Sequence, residues 1–385
     1  MSETTSPDKL RVTPLYDLHQ ACGARMVPFA GYHMPVQFDG VKVEHLWTRS
    51  HAGLFDVSHM GPCYLRLIDT SLRGDAAHKA VSALIEQLVP SAIATLTPGQ
   101  ARLTVLLDQY GGILDDLIIT RPAEPELQGQ LYIVVNGAVK AQDWTLFDRT
   151  FDGQAELVTA DEQCLLALQG PEAEAVLATE IDGCTALSFM QSGLFEWGGQ
   201  PVRVSRLGYT GEDGFELLVP AEAGIALSQR LLADDRVKPI GLGARDSLRL
   251  ESGLCLYGHD ITADHEPVEA GLQWVIQKSR RESGDFPGAK RILSALQNGP
   301  EQKRVGIRPL ERAPAREGTE IYHDGQIVGQ VTSGGFSPSL EIPIAMGYVR
   351  ADLGLDGTRI ELMVRGKLRP AEICQLPFVQ QNYKR

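Results

Sequence analysis

Gly111-Gly112-Ile113-Leu114-Asp115-Asp116-Leu117-Ile118-Ile119 sets two adjacent carboxylates inside an apolar run of strand type. Side chains alternate faces along a strand, so Asp115 and Asp116 should point opposite ways. Leu114 and Ile118 would share one face, and Ile113, Leu117 and Ile119 the other. With both faces apolar, at least one aspartate is expected near a core. Burying a carboxylate is costly unless it is paired or hydrogen-bonded, so a chain that keeps one there usually uses it. The plainer alternative is a salt-bridged acid at a strand edge.

Working outward, residues 103–107, the glycine-bearing turn 108–112 and residues 113–120 read as a hairpin, and 131–135 as a further strand before Asn136-Gly137. Residues 201–206 and 214–219 form a second strand pair around Gly208-Tyr209-Thr210-Gly211-Glu212-Asp213. A helix is expected over 243–250, ending near Ser252-Gly253. Strands and helices mix without regular alternation, which points to an α+β fold. The composition turns polar between Arg280 and Gln302. We therefore read 1–285 as the principal region, 286–302 as a linker and 303–385 as a β-barrel domain, with strands at 304–309, 320–322, 326–332, 345–349 and 359–364.

The chain has 385 residues and a net charge of -13, which argues against nucleic acid as a partner. Its six cysteines are scattered without metal-like spacing, and the nine histidines offer no His-Glu-x-x-His, so no metal site is expected. The cysteines read as small buried hydrophobes. The opening Met1-Ser2-Glu3-Thr4-Thr5-Ser6-Pro7-Asp8 is neither basic nor apolar, and no apolar run reaches the roughly 18 residues of a membrane span. No membrane association and a cytoplasmic location are expected. Gly284 to Arg291 lacks the Gly-Lys-Ser/Thr of a P-loop, and Gly241-Leu242-Gly243 lacks the third glycine of a dinucleotide fingerprint.

Three polar residues stand apart: Asp116, Glu216 inside Gly214-Phe215-Glu216-Leu217-Leu218, and Arg245 ahead of Asp246-Ser247-Leu248-Arg249-Leu250. A strand carboxylate such as Glu216 can take two hydrogen bonds from an amidine-like edge such as a pterin's, and Arg245 offers a planar fork of donors. Spacing alone leaves a solvent-facing edge charge equally open for Glu216, and for Arg245 it favours a helix salt bridge.

Further segments extend the pattern: Arg11-Val12-Thr13-Pro14-Leu15-Tyr16-Asp17-Leu18-His19, Phe29-Ala30-Gly31-Tyr32, Leu54-Phe55-Asp56-Val57-Ser58-His59-Met60 and Leu168-Gln169-Gly170-Pro171. Beyond them come Ala244-Arg245-Asp246-Ser247-Leu248-Arg249-Leu250-Glu251, Gly253-Leu254-Cys255-Leu256-Tyr257-Gly258, Thr332-Ser333-Gly334 and Ala345-Met346-Gly347-Tyr348-Val349. In this order and spacing the chain resembles, nearly end to end, the aminomethyltransferase family, the T-proteins of the glycine cleavage system. Tyr32 departs from the tryptophan that relatives often carry there.

The resemblance implies a three-domain clover leaf, two interleaved N-terminal α+β domains plus a C-terminal β-barrel, around a central tetrahydrofolate. It implies Asp116 as the catalytic acid near the folate's N-10, Glu216 on the pterin, Tyr209 and Arg245 as folate contacts, Met60 and Asn136 lining the pocket, and Tyr383 closing it. The implied reaction moves the one-carbon unit of an aminomethyl-lipoyl H-protein to tetrahydrofolate, releasing ammonia. A folate-dependent demethylase of the same fold remains open, as does a non-catalytic folate-binding protein of iron-sulfur maintenance. The latter branch carries a Lys-Gly-Cys-Tyr type motif that is missing here.

Overall fold

In a computed structural model, which describes residues 10–384, the aspartate hairpin joins strands Ala101–Leu107 and Ile113–Thr120. The expectation about Met1 to Asp8 lies outside the described residues. The hairpin belongs to a five-stranded sheet that continues through Gln130–Val135, Gly61–Leu67 and Ala155–Thr159. A six-stranded sheet runs Gln191–Trp197, Gln200–Arg206, Gly214–Val219, Cys164–Gln169, Ala52–Asp56 and Val237–Pro239. The chain enters this second sheet at Ala52, leaves to build the whole five-stranded sheet, and returns at Cys164. The first two domains are therefore interleaved.

Each sheet buries one face under helices. Helices Gly74–Ile85 and Lys140–Phe151 lay Val81, Ile85, Phe147 and Phe151 on Leu65, Leu117, Ile133 and Val135. The facing sides of the two sheets meet through Phe55, Val57, Tyr132, Val134, Ala167 and Leu248.

The aspartate strand does not alternate as simply as its sequence suggests. Its pairing with the neighbouring strand shifts, Leu106 opposing Asp115 but Leu107 opposing Ile113, which leaves Leu114 as an extra residue. Ile113 consequently packs with Val105 and Leu107, away from the cluster that holds Leu117 and Ile119. The turn itself is jammed: a Cβ on Gly112 would fall 2.1 Å from the Ala263 carbonyl oxygen, and Gly111 has φ +88°. Only glycine fits both positions without strain.

The 286–302 segment, expected as a linker, contains helix Ala289–Asn298, whose Ile292 is fully buried against Ile113 and Leu107. Its polar composition marks the outer face of a docked helix. The last domain is a closed six-stranded barrel. The sixth strand, Lys367–Cys374, was missed because Pro370 and the charges around it argue against a strand. Four cysteines are buried as expected, but Cys22 is exposed and Cys374 half-buried. No helix among the described residues is long and apolar enough to cross a membrane.

Helix Leu242–Glu251, expected over 243–250, joins the three domains through buried charge. Arg249 donates to Asp260 at 2.6 Å and to Ser333 of the barrel at 2.9 Å. Glu251 accepts from barrel Ser337 at 2.5 Å, from the Ser339 backbone and hydroxyl at 3.0 and 2.7 Å, and from Arg49 at 2.9 Å. His45 meets the same carboxylate at 3.0 Å. Burial works against the Glu251 charge, but the hydrogen bond and charge of His45 and the two serine donors outweigh it and hold the carboxyl at about 2.

A carboxyl held below its unfolded value stabilises the fold above that value, and this stability is lost as pH falls through about 2. Glu251→Gln should thus destabilise the protein by about 3 kcal/mol at neutral pH. In chemical denaturation the gap from wild type should narrow steadily between about pH 4.5 and 2. A pH-independent gap would remove Glu251 from this role.

Candidate active site

The aspartate strand delivers its two acids to different places. Asp115 is fully buried on the side facing helix Lys140–Phe151, whereas Asp116 is half-buried on the opposite side. Asn136, just past strand Gln130–Val135, ties them together. Its backbone N–H donates to Asp115 Oδ2 at 2.9 Å, and its Nδ2 donates to Asp115 Oδ1 at 2.8 Å and Asp116 Oδ1 at 3.0 Å. Burial, reinforced by the charge of Asp115, pushes the Asp116 carboxyl up to about 7.

Glu216 lies on an interior strand of the six-stranded sheet, opposite Ser205 on one side and Ala167 on the other. An edge-strand charge is thereby excluded. Burial pushes its carboxyl up to about 7, opposed by Arg245. Arg245 forms no helix salt bridge. Its guanidinium lies 4.7 Å from the centre of the Tyr209 ring, and its Nη1 is buried without a hydrogen-bond partner. Glu216 and Arg245 feel each other's charge, but desolvation dominates both, raising the acid and lowering the base. Tyr209 donates its hydroxyl to the Cys255 carbonyl and is within electrostatic reach of Asp116, Arg245 and Asp260. Asp116, Asn136, Tyr209, Arg245 and Glu216 thus converge from both sheets and the joining helix.

Met60 is half-buried among Phe55, Val57, Tyr132 and Leu248, and its carbonyl accepts from Lys140 Nζ at 3.1 Å. Lys140 also donates to the Tyr32 hydroxyl at 2.8 Å, so Tyr32 acts in the wall behind Met60. Tyr383 stacks on Phe189 at 4.2 Å, and its neighbour Asn382 donates to the Gly211 carbonyl at 2.7 Å, two residues from Tyr209. Its contacts reach the turn that carries Tyr209 rather than the acids. A hollow of about 910 Å³ between Leu88, Leu107, Leu146 and Phe286 includes none of these residues, so convergence of polar groups marks the site. No cluster of metal-ligating residues occurs among the described residues.

Residues 15–280 match the GCVT N-terminal domain and residues 302–380 the glycine cleavage T-protein C-terminal barrel domain. The chain belongs to the glycine cleavage T-protein family. It is 43% identical to the probable mitochondrial aminomethyltransferase of Schizosaccharomyces pombe, covering 99% of this chain and 96% of that one. Identity to the mitochondrial aminomethyltransferase of Homo sapiens is also 43%, over 97% and 91%. The crystal structure of glycine cleavage system aminomethyltransferase T from Bartonella henselae superposes with a TM-score of 0.89 at 41% identity, covering 98% of this chain and 100% of that one. The cytoplasmic expectation is overturned by these comparisons, since the fungal and human relatives are mitochondrial by name.

Sequence reasoning missed Asp143, Asp260 and His59. Asp260 is fully buried, accepts from Arg249, Thr332 and Ser333, and raises Asp116. His59 is buried with Nδ1 unpartnered, and burial with nearby Arg245 drives it down to about 3. Asp143 had a legible signal: it falls on the face with Trp144, Phe147 and Phe151 that turns toward the core.

A carboxyl raised in the folded state binds more protons there than in the unfolded chain, so stability falls as pH rises from about 4 to 7. Asp116→Asn and Glu216→Gln lack this slope. Relative to wild type, each should melt about one to three degrees higher at pH 8 than at pH 5. Differential scanning calorimetry at the two pH values reads the difference, and an equal offset at both would place the carboxyls at ordinary pKa values.

Proposed function

We propose that this family member transfers the one-carbon unit of an aminomethyl group, carried on the lipoyl arm of an H-protein, to tetrahydrofolate, releasing ammonia and giving 5,10-methylenetetrahydrofolate. The observation that carries this reading is the pair of under-compensated carboxyls, Asp116 and Glu216, flanking Arg245 with its unpartnered Nη1. Buried polar groups without partners are costly and mark where a polar ligand completes the structure.

The residues fit a reduced folate. Glu216, once ionised, offers two acceptor oxygens to a pterin ring N–H and amine. Arg245, held over the Tyr209 ring, offers its free Nη1 to a carbonyl or carboxylate oxygen. Tetrahydrofolate supplies the nitrogens that receive the carbon. Departure of a group from an aminomethyl thioether develops positive charge, and Asp116, fixed by Asn136 in a water-poor site, stabilises it. A carboxyl near 7 also exchanges protons readily at neutral pH. Burial around Asp116 keeps water from the one-carbon unit, which would otherwise leave as formaldehyde.

Asp116→Asn should lower turnover by about a hundredfold or more while changing tetrahydrofolate affinity less than about threefold. Glu216→Gln should weaken tetrahydrofolate by about 1.5 to 3 kcal/mol in calorimetry. Because Glu216 must ionise to accept both bonds, wild-type affinity should rise with pH through about 7, and the Gln variant should lose that rise. Unchanged turnover in the first variant, or unchanged affinity in the second, removes that residue from the site.

A further inference from the structure

Asp143 is a buried ionisable group for which the proposed reaction has no use. It stands in the first turn of helix Lys140–Phe151, is fully buried, and neither of its carboxyl oxygens receives a hydrogen bond from an N–H or O–H donor. Its partner is the carboxyl of Asp115, also fully buried and within hydrogen-bonding reach across the sheet face. The hydrophobic cluster between this helix and the sheet includes Leu117, Val135 and Phe147.

Two carboxylates touching in such a place cannot both remain ionised, because repulsion and lost hydration act together. The available donors decide which one keeps the proton. Asp115 receives both Asn136 N–H groups, at 2.9 and 2.8 Å, and is well supplied as an anion. Asp143 has only Asp115, so it is the acid and its O–H donates to the Asp115 carboxylate. The same Asn136 amide reaches Asp116 Oδ1 at 3.0 Å.

We propose that Asp143 and Asp115 share one proton and thereby hold Asn136 against Asp116, which makes Asp143 a positioning residue for the group at the reacting carbon. This rests on Asp116 acting there as proposed above. Other ionisable groups face the cluster from each packed element: Cys63 faces Asp143 from strand Gly61–Leu67, Tyr257 faces all three acids, and Asp260 and Tyr209 face Asp116. Burial raises both members of the pair above the ordinary carboxyl value, which favours keeping a proton between them. The pair then carries one negative charge, which contributes to the elevation of Asp116.

The test compares Asp143→Asn and Asp143→Leu in the full chain, with Asp116→Asn as control. The amide introduced by Asp143→Asn can donate an N–H to Asp115 and preserve the arrangement. A leucine there removes the O–H donor that Asp115 needs beyond the two Asn136 N–H groups to stay ionised against its burial, so Asp115 takes up a proton itself and stops repelling Asp116. In the kcat/KM profile, the Asn variant should stay within about threefold of wild type with the acid limb in place. The Leu variant should be at least about tenfold slower, its acid limb displaced to lower pH by about half a unit or more. Infrared spectra above the titration of Asp116 and Glu216 should show a buried protonated carboxyl in wild type that is missing from the Asn variant. An unmoved limb in a folded Leu variant, an Asn variant as slow as the Leu one, or an unchanged infrared band overturns the proposal. Full activity in Asp116→Asn would instead defeat the reading of Asp116, while the infrared band still decides whether the proton is shared.

Discussion

The buried charges of helix Leu242–Glu251 are the constraint on which the rest of the molecule depends. An ionised group away from water is tolerable only when its hydrogen-bonding positions are filled. Arg249 and Glu251 meet that demand with groups from both sheets' domains and from the barrel: Arg49, His45, Asp260, Ser333, Ser337 and Ser339. Satisfying two side chains therefore fixes three domains against one another. Arg245 lies one turn earlier on the same helix, so its approach to Tyr209 and Glu216 is set by the same anchoring.

The buried carboxyls divide by how well they are supplied. Burial alone raises Asp56, Glu251, Asp116 and Glu216 alike. For Asp56, the hydrogen bond and charge of His19 with the donors of Ser58 and Thr13 outweigh it, and for Glu251 His45 and the serines do so, leaving both acids low. Such acids hold structure. Asp116 and Glu216 lack enough donors, remain near 7, and are ready to exchange a proton or accept a ligand's N–H. Undersupply in a converging site distinguishes the acids proposed to bear the chemistry more sharply than burial does.

Much of this was legible in the sequence because local signals agreed. The glycine turn and apolar run located the aspartate hairpin, and the Gly214 to Val219 strand and the Arg245 helix emerged within a residue or so of their expected bounds. The extra residue at Leu114 was not legible, since a pairing shift depends on the partner strand. Helix Ala289–Asn298 was hidden because the polar flanks Glu282 to Asp285 and Asn298 to Glu301 masked the helical spacing of Ala289, Ile292, Leu293 and Leu296, and strand Lys367–Cys374 because Pro370 mimics a break. The interleaving of the sheets came only with the family resemblance, for no local pattern records that a chain leaves a sheet and returns. Asp115 and Asp143 were illegible as a pair because their contact joins strand and helix across 28 residues (143 − 115).

The most direct measurement follows the discharge of aminomethylated H-protein by this chain, with and without tetrahydrofolate, reading ammonia and the fate of the one-carbon unit. Proximity in a shared site supplies much of the rate of such a transfer. Discharge should be slow without folate, giving ammonia and free formaldehyde, and much faster with it, giving methylene-folate. Tight folate binding with no ammonia release above the uncatalysed rate in either condition would contradict a transferase and leave a folate-binding protein.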